Sequence, residues 1–99
     1  MLHQYMVEFD LPDVMTEEFA ALVPQQRSRV NRWMERGVIT SYSLSADFKR
    51  LWAIVIAKSE EDVTQVMRSL PLTKYMEFTT HQLMFHNSLA MALPAISMN

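Results

Sequence analysis

The apolar residues switch between two periods along the chain, and the order of those switches limits the fold more than any single motif. Phe19, Leu22, Val23, Val30, Trp33 and Met34 recur at spacings of three and four, with Gln26 the one break in the stripe, which predicts an amphipathic helix. Thr16 suits its N-cap, Glu17 and Glu18 its positive end, and Gly37 its termination. Pro24 predicts a kink, or a main helical part that starts after Val23. A second helix is signalled by Ser59 ahead of Glu60-Glu61-Asp62, by Val63, Val66, Met67 and Leu70 on one face, and by Pro71 as its stop.

Four other runs read as strands. Leu2–Phe9 and Met76–Phe85 alternate, Val38–Ser45 is rich in β-branched, hydroxyl and aromatic residues, and Leu51–Ala57 is nearly all apolar. Ala46-Asp47-Phe48-Lys49 is short enough to close a hairpin between the middle two. The order β-α-β-β-α-β predicts an α+β, ferredoxin-like domain, an antiparallel four-stranded sheet with two helices on one face. The domain is expected over residues 1–86, and the uncharged, apolar tail 87–99 is expected to pack on a neighbouring subunit.

Two helices cover only one face of such a sheet. His3, Tyr5, Val7, Phe9, Trp52, Ile54, Ile56, Met76 and Phe78 suit the covered side by polarity. Gln4, Met6, Glu8, Leu51, Ala53, Val55, Glu77, Thr79 and His81 then fall on the open side. That set is too apolar for bare solvent and too polar for a dry core, so a sheet-to-sheet homodimer enclosing a small-molecule cavity is expected.

The first and last strands are antiparallel neighbours in this topology. A register in which opposed residue numbers sum to about 85 sets Glu8 beside Glu77 and Gln4 beside His81. Two adjacent carboxylates cannot both ionise cheaply, and a nearby histidine can carry a second proton. Glu77, Glu8 and His81 are therefore the candidate proton-transfer residues, and Gln4, Met6, Tyr42 and Thr79 the candidate ligand contacts.

Composition narrows the classes. A formal charge of −2 supplies no basic face for nucleic acid, and the absence of Cys removes disulfides, thiolate metal sites and a cysteine nucleophile. Three separated histidines without an i,i+4 pair offer no metal site, and a single glycine makes a phosphate-cradling loop improbable. No basic segment precedes a long apolar run, and Pro94 interrupts the longest charge-free stretch, so no membrane partner is expected and the chain reads as cytoplasmic.

Several residue blocks resemble one family. Met1-Leu2 with Asp10-Leu11-Pro12 after the first strand, Arg36-Gly37, Ser69-Leu70-Pro71-Leu72, Tyr75-Met76-Glu77 and the late His86 are similar to the muconolactone Δ-isomerases. The similarity covers about residues 1–88. It implies a dimeric α+β barrel that can assemble further, into decamers, and no cofactor. It also implies a proton abstraction and return that shifts a lactone double bond, with Glu77 standing where the family has its acidic residue. The chain departs from the family pattern at Gln4, Met6 and Ile39–Leu44, where no base stands. Two other classes stay open, a non-catalytic small-ligand-binding or assembly protein and a cofactor-free quinol-type monooxygenase.

Overall fold

The computed structural model describes residues 1–89. Strand β1 is His3–Asp10, helix α1 Glu17–Glu35, β2 Ile39–Leu44, β3 Arg50–Ala57, α2 Glu60–Arg68 and β4 Glu77–Gln82, with one 3₁₀ turn at Thr73–Tyr75. The strands form one antiparallel sheet in the order β2-β3-β1-β4. The expected α+β, βαββαβ architecture is the one observed. The tail expected over 87–99 lies, from residue 90 onward, outside the described residues.

Local chemistry accounts for the helix limits. The Thr16 hydroxyl accepts the Phe19 amide at 3.1 Å and the Ser59 hydroxyl accepts that of Asp62 at 3.2 Å, so each helix starts on a satisfied donor. Gly37, at φ 75°, takes the left-handed conformation that ends α1. Pro24 neither delays nor divides the helix, which is assigned as one element from Glu17 to Glu35. Ala20, whose carbonyl loses its partner to the proline ring, is exposed along with Pro24, so water can take the vacant acceptor.

The core is one cluster between the helices and one sheet face. Tyr5, Val7 and Phe9 of β1 and Leu51, Ala53, Val55 and Ala57 of β3 meet Val30 of α1 and Val63 and Met67 of α2. The Trp33 indole donates to the Ser69 hydroxyl at 3.0 Å, tying α1 to the end of α2.

Two expectations about the sheet need correcting. β3 presents its faces the other way round. Val7 opposes Ala53 and Phe9 opposes Leu51, while Met6 opposes Ile54 and Glu8 opposes Trp52. Leu51, Ala53 and Val55 therefore lie under the helices, and Trp52, Ile54 and Ile56 lie on the open face. Both residue parities of β3 are apolar, so alternation is silent there. The small side chains of Ala53 and Ala57 suit the side on which helices must approach closely. The second correction is the β1–β4 register. Opposed numbers sum to 87, so Asp10 faces Glu77, Glu8 faces Thr79 and Met6 faces His81. Glu8 and Glu77 are not side by side.

The β2–β3 hairpin closes without an Asn-Gly or Asp-Gly pair. The Ser45 hydroxyl donates to Asp47 at 2.6 Å and accepts the Lys49 and Arg50 amides, while Asp47 also accepts the Lys49 amide. The Ser45 hydroxyl and then the Lys49 amide hold the Asp47 carboxyl below its ordinary range. This network carries Phe48 at φ 62°, a left-handed conformation rare for a bulky residue.

Candidate functional site

The open face of the sheet has an apolar floor and a charged end. Met6, Trp52, Ile54 and Ile56 are neighbours across β1 and β3. Ile54 is buried, and the other three are half-buried. Ser41 and Ser43 of β2 border the floor on one edge, opposite Ile54 and Trp52. Thr79 and His81 of β4 border it on the other, opposite Glu8 and Met6.

Glu8, Asp10, Arg50 and Glu77 gather at one end. The Arg50 guanidinium meets Glu8 at 2.6 Å and Asp10 at 3.1 Å. Glu77 sits directly opposite Asp10 and is diagonal to Glu8, a separation of roughly 7–8 Å. The carboxylate-to-carboxylate contact expected between Glu8 and Glu77 is thus replaced by a contact of Glu8 with a cation. Glu77 is exposed and makes no ion pair within 4.0 Å among the described residues.

The structure brings some of the sequence-derived residues together and separates others. Gln4, Met6, Glu8, Glu77, Thr79 and His81 share the open face. His81 is diagonal to Glu8 but four residues along β4 from Glu77, about 13 Å at the usual strand rise, so one copy of the chain does not bring the two together. Tyr42 is elsewhere. It pairs with Ala53 on the helix side of the sheet and lines a different cavity.

That cavity, about 310 Å³, opens between α1 and the hairpin end of the sheet. Phe19, Val23, Leu51, Leu72 and Met76 form much of its wall. Gln26, buried on α1, donates from Nε2 to the Tyr42 hydroxyl at 2.8 Å and accepts the Leu72 amide on Oε1 at 3.0 Å. Burial pushes the Tyr42 phenol above its ordinary value, opposed in part by the Gln26 hydrogen bond, so it stays protonated at neutral pH.

Sequence reasoning missed Asp10, Arg50 and Trp52 as members of the open face. Arg50 is in phase with Trp52, Ile54 and Ile56, and an exposed arginine at a strand end was the available signal for which way that set points. Gln26, the break in the α1 stripe, marked the second cavity. Among the described residues, no group of three His, Cys, Asp or Glu side chains could hold a metal ion, and no helix is long and apolar enough to cross a membrane.

Compared with known proteins, residues 1–89 match the family model described as muconolactone delta-isomerase. No curated protein gives a match.

Proposed function

Because the chain belongs to the muconolactone delta-isomerase family, we propose that it is a homo-oligomeric isomerase that moves a proton on a small lactone. The observation that carries this reading is the charged cluster of Glu8, Asp10, Arg50 and Glu77 at the border of an apolar floor. A floor of Met6, Trp52, Ile54 and Ile56 calls for a cover, and a second copy laid sheet to sheet supplies one while leaving the polar rim as a cavity.

In such a cavity Glu77 takes the proton from the ring carbon next to the double bond, on the side away from the lactone carbonyl. The double bond shifts away from the carbonyl, and Glu77 returns the proton to the carbon beside the carbonyl, so the composition of the molecule is unchanged. Glu8 and Asp10 hold Arg50 in place, and Arg50 is the cation on this face for a ligand carboxylate or for the charge that develops on the carbonyl oxygen. Water exclusion by the second copy strengthens each of these interactions.

The test is direct ultraviolet measurement of muconolactone turnover by the purified protein and by Glu77→Gln. Loss of a general base predicts a fall in turnover of about 100-fold or more. A variant as fast as the parent removes Glu77 from the reaction, and a parent without turnover removes muconolactone as the substrate. A binding role without turnover is the second reading. It is favoured by the α1 cavity, whose lining holds no carboxylate or histidine.

A further inference from the structure

We propose that the open-face site takes uncharged lactones and disfavours those that carry a carboxylate. The inference rests on the isomerase reading of that face and narrows its substrate class. Of the two uses open to Arg50, a partner for a ligand carboxylate or for the charge that develops on the carbonyl oxygen, the geometry favours the second.

The argument starts from how Arg50 is already engaged. Within the four strands it is the only lysine or arginine, set against the carboxylates of Glu8, Asp10 and Glu77. Its Nη1 meets Glu8 at 2.6 Å and its Nε meets Asp10 at 3.1 Å. One cation shared between two carboxylates leaves the triad net negative. Glu77, opposite Asp10 and without an ion pair within 4.0 Å among the described residues, adds a further negative charge. Lys58 follows the other end of β3, roughly 26 Å from Arg50 at the usual strand rise. A second copy laid on this face brings the same strands, with the same excess of carboxylates over cations.

The proton transfer is compatible with this charge, and an anionic substrate is not. Abstraction moves one negative charge from Glu77 to the lactone carbonyl oxygen, where an Arg50 N–H not used by Glu8 or Asp10 can meet it. The total charge of the site is therefore constant through the step. A substrate carboxylate instead adds a unit of like charge beside a cation that two carboxylates already hold. Covering the face enlarges that repulsion by excluding water. Away from the cluster the face offers the apolar floor of Met6, Trp52, Ile54 and Ile56 and the hydroxyls of Ser41, Ser43 and Thr79. That surface suits an alkyl, aryl or ester substituent on the ring. His81, diagonal to Glu8, is the one other titratable side chain at the border of the floor, so the test is run at about pH 8, above the ordinary histidine range.

Muconolactone and its methyl ester are the probes, one lactone ring with and without the charge. The double-bond shift is followed by proton NMR, and binding is followed separately through the Trp52 indole of the ¹⁵N-labelled protein. The parent is expected to favour the ester about 10-fold or more, in kcat/KM and in Kd alike. Glu8→Gln and Asp10→Asn each release Arg50 from one carboxylate. Each is expected to cut that preference about 3-fold or more, through a gain for the acid, which a merely structural loss would not give. Turnover of the acid as fast as the ester overturns the proposal and leaves the isomerase reading standing. Turnover of neither removes the isomerase reading, and binding then decides the charge preference. Tighter binding of the ester supports it; equal or tighter binding of the acid, or no shift at Trp52 with either probe, overturns it. An unchanged preference in both folded variants overturns it too.

Discussion

Strand β1 passes between two environments, and its two faces are built on different rules. Tyr5, Val7 and Phe9 are 2% exposed or less and lie against the helices within the same chain. Gln4, Met6 and Glu8, on the other face, are only half-buried. The first face is finished by the chain's own packing. The second carries Ile54 buried and Met6, Trp52 and Ile56 half-buried, with charge concentrated at one end. One face folds the protein, and on the proposed reading the other serves assembly and chemistry.

Substitutions separate the two. Phe9→Ala empties a fully buried site in contact range of Phe78, at 5.4 Å between ring centroids. A loss of about 3–5 kcal/mol is expected in urea unfolding, a large part of what a small domain has. On the open face the same strand should be tolerant. Glu8→Gln weakens a partly exposed ion pair with Arg50 and is expected to cost about 1 kcal/mol or less. A cost for Glu8→Gln comparable to that of Phe9→Ala would erase the distinction.

The same contrast explains what could be read from the sequence. The helices, their caps at Thr16 and Ser59 and the order of elements follow from local chemistry, and each is observed. The covered face of β1 follows from its alternation. The face of β3 does not, because Leu51–Ala57 is apolar in both phases and local pattern carries no sign of direction. There the hairpin decides: Leu44 pairs with Leu51 and Ser43 with Trp52, and this places Trp52 with Glu8. β1 and β4 are paired across almost the whole described chain, with no hairpin between them to fix the register, so the two-residue difference between expectation and structure lay beyond local reasoning. It moved Asp10, rather than Glu8, opposite Glu77. Gln26 was legible as an anomaly, but its partners, Tyr42 and Leu72, are 16 and 46 residues away.

The central claim is that the open face is completed by a second copy of the chain, and sedimentation velocity at roughly tens of micromolar tests it most directly. A buried interface tryptophan typically contributes 2 kcal/mol or more, so Trp52→Lys should reduce association by about 30-fold or more. The account predicts that the parent sediments as a dimer or a larger assembly, and that Trp52→Lys shifts toward monomer at the same concentration with its far-ultraviolet circular dichroism retained. A parent that sediments as a monomer, or a folded Trp52→Lys that assembles as well as the parent, would contradict it.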